Sequence, residues 1–87
     1  RIESPETTLT RLENWLKRFR VKAKDRRLRI TLNPEMVDYI YQTKSKVISG
    51  FMWKNWMLIE IQKDSHLPPH EFRVYSKKRR EDVTEEV

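Results

Sequence analysis

Leu9, Leu12, Trp15, Leu16 and Phe19 recur three and four residues apart, the spacing that gathers side chains on one face of a helix. Ahead of them stands Ser4-Pro5-Glu6-Thr7, in which Ser4 suits the N-cap and Pro5 the first helical position. The pattern predicts a helix ending near Arg20, then a basic connector over residues 21–26. Across residues 27–32 the period changes to two. Leu28, Ile30 and Leu32 point one way and Arg27, Arg29 and Thr31 the other, as in a half-buried strand with a basic outer face.

Asn33-Pro34-Glu35 repeats the cap-then-proline signal and opens a second helix. Its inward positions are Met36 or Val37, Ile40, the stem of Lys44, Val47, Ile48 and Phe51. Gly50, the only glycine, is a candidate C′ residue. Phe51 and Trp53 prolong the pattern, however, so the predicted stop is Lys54-Asn55, with Asn55 left-handed. Residues 56–62 form a second predicted strand, with Met57, Ile59 and Ile61 opposite Trp56, Leu58 and Glu60. A loop over 63–70 is fixed by Pro68-Pro69. A third strand over 71–76 alternates Phe72 and Val74 against Arg73 and Tyr75. Residues 77–87, KKRREDVTEEV, lack apolar periodicity and read as a disordered charged tail. Deleting them is expected to change stability by less than about 0.5 kcal/mol. Residues 1–76 thus read as a small α+β domain: a two-layer sandwich of order α-β-α-β-β, a three-stranded sheet with two helices packed on one face.

Eighty-seven residues allow one domain at most. A chain of this size buries only about 60% of the surface its unfolded form exposes, which leaves little room for a deep substrate cavity. Arg1 stands where an initiating Met would, which suggests a piece of a longer protein. The absence of cysteine excludes disulfide scaffolds, thiolate zinc sites and cysteine nucleophiles. No apolar run reaches the roughly 18 residues of a membrane span and no signal peptide is visible, so the expected setting is cytoplasmic, without a membrane partner.

Charge sharpens the picture. Residues 1–32 hold ten Lys and Arg against four Asp and Glu, whereas 33–70 and 71–87 are each balanced, so the formal net charge of +6 lies in the first third. Lys17, Arg18, Arg20, Lys22, Lys24, Arg26, Arg27 and Arg29 are accompanied only by Asp25. Clustered cations attract polyanions through their long-range field and counterion release, making these eight the candidate RNA contacts. A solvated helix end, whose cations complement the helix dipole, is the plainer alternative.

Catalytic chemistry is harder to assemble. His66 and His70 flank two prolines that forbid a regular helix, and no cysteine offers a third ligand, so no metal site is expected. Metal-assisted cleavage needs carboxylates held together on rigid elements, yet Asp38 has no acidic neighbour three or four residues on. One glycine cannot build a phosphate-cradling loop or the GXXG clamp of a KH domain. Trp56, Tyr75 and Tyr41 are candidates for base stacking, with core packing or a protein interface the commoner use of Trp56.

Three segments, SPETTLTRLENWLKRFR, LRITLNPEMVDYI and WMLIEIQKDSHLPPHEFRVY, together resemble the C-terminal small domain of the ribonuclease E/G family. In the last, Glu71-Phe72 falls on the family's acidic-residue–aromatic pair. The resemblance spans roughly residues 3–76 and its motifs are non-catalytic. It implies a parent endoribonuclease that cuts single-stranded RNA, with Mg²⁺ held by paired aspartates in a separate catalytic domain. It also implies an RNA-binding domain before that one and a structural Zn²⁺ held by a Cys-x-x-Cys link just ahead of this chain. None of those ligands lies here, so no catalytic residue and no cofactor is assigned to the chain itself. The implied partners are the catalytic domain of the same parent chain, RNA through weak backbone contacts, and a second copy in a homo-oligomer. A stand-alone KH-like nucleic-acid-binding module and a protein-interaction or assembly domain are the alternatives.

Overall fold

The computed structural model describes residues 4–43 and 45–86. Ser4 caps α1 (Pro5–Lys22), its Oγ accepting from the Thr7 N–H at 3.2 Å. The helix runs two residues past the expected stop and buries Leu9, Leu12, Trp15, Leu16 and Phe19. Trp15 and Phe19 stack with ring centroids 4.8 Å apart. Strand β1 (Arg27–Leu32) buries Leu28, Ile30 and Leu32 in strict alternation. Asn33 then caps α2 (Pro34–Thr43) through Oδ1, which accepts from the Glu35 N–H at 2.9 Å. Its amide also donates to the Leu67 carbonyl at 2.8 Å, pinning the proline loop.

The single second helix expected from periodicity is two helices, α2 and α3 (Ser45–Asn55). Lys44, expected as a buried stem, lies outside the described residues. Gly50 sits within α3, and the helix ends at Asn55 as the pattern required. The left-handed residue is Trp56, at φ 56°, rather than Asn55. The Met57 N–H donates to the Met52 carbonyl at 3.1 Å, which closes the helix as a Schellman motif with Trp56 in the position usually held by glycine. Asn55 instead turns its side chain back, its amide donating to the Phe51 carbonyl at 2.9 Å.

Strand β2 (Leu58–Lys63) starts two residues later than expected and β3 (Phe72–Ser76) one residue later. The chain is a mixed α+β fold of three helices on a four-stranded sheet, ordered β2-β1-β3-β4, where β4 is Glu81–Asp82. Central β1 pairs in parallel with β2, Leu28 opposite Ile59, and antiparallel with β3, Ile30 opposite Val74. The parallel pair requires a crossover, which α2 and α3 supply. All three helices contribute to one core against the sheet face bearing Leu28, Ile30 and Leu32.

The expectation of a three-stranded sheet and a disordered tail is corrected by residues 77–86. A turn leads into β4, which pairs with Tyr75 and Ser76, and then into a short 3-10 helix, Thr84–Glu86. Val83 is fully buried. Its N–H donates to the Val74 carbonyl at 2.8 Å, and the Thr84 hydroxyl accepts from the Val74 N–H at 2.7 Å. The Trp15 indole donates to the Thr84 carbonyl at 2.8 Å. One apolar residue makes no period, so the pattern could not announce a segment held by Val83 and hydrogen bonds.

Asp25 ties this segment to the rest. Its carboxylate is buried in the connector, accepts from the Ser76 hydroxyl, and accepts from Arg79 Nε at 2.9 Å. Burial alone would raise its pKa. The hydrogen bonds from Ser76 and Arg79, with the charges of Arg79 and Lys78, outweigh burial and hold it below the ordinary value.

Two outcomes follow. Val83→Ala is expected to lower stability by about 1.5–3 kcal/mol, the worth of a buried Val side chain, and truncation after Ser76 to lower it further. Thermal melts followed by circular dichroism check this; an unchanged melting temperature on truncation would mean the segment does not pack. For Asp25 the ionised form belongs to the folded state. Its contribution is complete above the unfolded value of about 3.9 and is lost as pH falls through the lower folded value. Asp25→Asn should therefore flatten the loss of stability as pH falls below about 4, and parallel acid limbs for the two proteins would contradict it.

Candidate nucleic-acid and docking surfaces

The eight predicted cations do not form one patch. Alternation along β1 puts Arg27 and Arg29 on the face opposite the helices, whereas Lys17, Arg18, Arg20 and Lys22 lie exposed on α1. Lys24 and Arg26 are exposed in the connector between them, with Arg26 Nη1 donating to the Asn55 carbonyl at 3.2 Å. On α1 itself the cations divide again. Lys17 and Arg20, three apart, share one flank, and Arg18 and Lys22, four apart, share another.

The open sheet face is a mixed ionic surface. Arg29 Nε lies 3.5 Å from a Glu60 carboxylate oxygen, and its guanidinium sits 5.5 Å from the centre of the Tyr75 ring. Lys77 Nζ reaches the same Glu60 oxygen at 2.5 Å. The hydrogen bond from Lys77 leads in holding the exposed Glu60 below the ordinary glutamate value. Arg27 borders a recess shared with Leu58, Glu60 and Lys77. Further along, Arg73 Nε pairs with Asp82 at 3.2 Å and its Nη1 with Glu85 at 3.6 Å. Asp82 is raised by burial but lowered more by hydrogen bonds from Thr84 and by Arg73, and stands below its usual value. Arg29 and Arg73 are thus largely answered by carboxylates of their own fold.

The helix layer differs. Lys17 and Arg20 from α1 and Lys54 from α3 line one open groove of about 300 Å³, with Val47, Gly50 and Phe51 between them. Among the described residues none of these three cations is in an ion pair. Lys54 escaped the sequence reading because it stands alone in a balanced stretch; only the packing of α3 beside α1 brings it to Lys17 and Arg20.

A second surface is apolar. Trp53 is 84% exposed, Trp56 87% and Leu58 63%. With Met52 and Met57 they line a recess of about 410 Å³ where α3 passes into edge strand β2. Trp56 is therefore not a core residue. Of the other candidate stacking rings, Tyr41 is exposed on α2, and Tyr75 is half-buried in the sheet with Arg29 over it. Each histidine lies beside a carboxylate of its own loop: His66 sits 3.5 Å from Asp64 and His70 3.8 Å from Glu71. Among the described residues no three His, Cys, Asp or Glu side chains are placed to hold a metal ion, and no helix is long and apolar enough to cross a membrane. No family model, no curated protein and no solved structure matches this chain.

Proposed function

We propose that this chain is a non-catalytic small domain of an RNA-processing endoribonuclease resembling the ribonuclease E/G family, acting in the cytoplasm. It supports the catalytic domain and oligomer assembly and touches RNA weakly through its basic side. Mg²⁺ and structural Zn²⁺ would belong to the rest of the parent protein, whose catalytic domain carries the cleavage chemistry.

The observation that carries the docking role is Trp56. A side chain with a Cβ in the left-handed region costs about 1–2 kcal/mol relative to ordinary backbone, and the position it fills is one where glycine carries no such penalty. Burial offers no compensation, because Trp56 is 87% exposed. Backbone strain of this kind gathers at binding surfaces. Beside it, Trp53 and Leu58 extend an apolar patch of the sort that marks protein contacts, and exposed tryptophans are frequent anchors of such contacts. The occupant this reading supports is the catalytic domain of the same parent chain.

The test separates stability from assembly. Trp56→Gly should raise the melting temperature of this chain, since about 1–2 kcal/mol of backbone strain is relieved, corresponding to roughly 4–8 °C per kcal/mol in a domain of this size. In the parent protein the same substitution, or Trp53→Ser with Leu58→Ser, should release this domain from the catalytic domain, read as a lower sedimentation coefficient at unchanged mass and as faster proteolytic cleavage between the two. An unchanged sedimentation coefficient and cleavage rate in all these variants would remove the docking role.

A further inference from the structure

Gly50 has no evident reason to be glycine within its own fold. It lies inside α3, where glycine is less favourable than alanine by about 1 kcal/mol. A Cβ built there would meet nothing within 4 Å, so no neighbour demands its absence, and its φ is not positive. What glycine does provide is bare helix backbone beside the groove between α1 and α3, open to close approach by a ligand. The spacing of Val47, Gly50, Phe51 and Lys54 keeps all four on the face of α3 that borders this groove. Across it stand Lys17 and Arg20 on the flank of α1. Glu13, one turn earlier on α1, is half-buried and does not line the groove. The recess therefore joins three cations without carboxylate partners among the described residues, an aromatic side chain and an unobstructed helix backbone.

We propose that the α1–α3 groove binds the sugar-phosphate backbone of single-stranded RNA, with Lys17, Arg20 and Lys54 on phosphates and a base against Phe51. This rests on the RNA contact in the function proposed above and assigns it to the helix layer. Cations at phosphates give affinity without sequence preference, and an aromatic surface accepts any base. Arg27 and Arg29, on the opposite side of the sheet, are then bystanders, and Lys54, outside the basic N-terminal run, is a participant.

Fluorescence anisotropy of labelled oligouridylate and oligoadenylate with the 87-residue chain, over a salt series, tests the assignment. Replacing Lys17, Arg20 and Lys54 together by Ala should weaken binding on the order of tenfold or more and lower the log–log salt slope by about 2, from roughly 0.7 per phosphate on a single strand. Arg27→Ala with Arg29→Ala should leave affinity within about twofold, because those side chains face away from the groove. Gly50→Glu should weaken binding without lowering the melting temperature through a clash, since the space above Gly50 is open. If the folded triple variant binds as the parent does and the Arg27, Arg29 variant loses affinity, the groove is the wrong site and the RNA contact itself survives. If the unaltered chain binds neither oligonucleotide at low salt, the RNA contact fails and the groove assignment with it.

Discussion

A buried carboxylate must be matched by donors or it destabilises the fold, and Asp25 is matched by Ser76 and Arg79, 51 and 54 residues away in sequence. Once α1 and β1 place Asp25 at their junction, the end of β3 and the turn after it have one location that satisfies the charge. Arg79, held there, also lies 5.8 Å from the centre of the Phe19 ring, over the end of α1. The turn then returns the chain to β3, and Val83 fills the core while Thr84 receives the Trp15 indole N–H. Asp25, the Trp15 indole and the buried Val83 thereby fix the segment after β3 to α1 and the start of β1.

The sheet sorts the molecule's charge as well as its core. Because β1 is central and alternates strictly, its arginines face away from the helices while its leucines and isoleucine face toward them. On the open face, Glu60 and Asp82 draw the pKa-depressing company of Lys77, Arg29 and Arg73. On the helix side Lys17, Arg20 and Lys54 are in no ion pair among the described residues. Net charge alone would not distinguish these surfaces; the ion pairs do, since they engage Arg29, Arg73 and Lys77 on the open face and, among the described residues, none of Lys17, Arg20 and Lys54 on the other.

Much of the fold was legible because it rests on periodicity. The buried stripe of α1, the alternation of β1 and β3, and the caps at Ser4 and Asn33 all stand where residue spacing puts them. The separation of α2 from α3 was not, since Thr43-Lys44-Ser45 carries neither proline nor glycine, while the one glycine that could mark a break lies inside α3. Asp25 looked like a lone acid diluting a basic run, because its partners lie beyond the reach of any local pattern. The basic candidates were recognisable as charges, but their division between two faces depends on the packing of α1 and on the pleat of β1. The Trp53–Trp56–Leu58 surface was legible only in part: alternation already set Leu58 opposite Ile59, but Trp53 read as a continuation of the helix pattern, and the left-handed turn at Trp56 that joins α3 to β2 has no glycine to announce it.

The parallel pairing of β1 with β2 joins positions 31 residues apart, and β1 meets β3 over a longer stretch still. The sheet therefore closes only after the intervening chain has paid its loop entropy, and topologies dominated by such distant pairings fold more slowly than bundles built from neighbours. Helical segments form on the sub-microsecond to microsecond scale, so an 11-residue helix such as α3, marginal by itself, samples its helical form with Trp53 uncovered before β2 has found its place. During that interval an unpaired Leu-Ile-Glu-Ile strand sits next to exposed tryptophans, a combination that favours encounters between chains over completion within one. Refolding yield thus becomes a race between chain collision, which quickens with concentration, and the docking of β2 on β1, which does not.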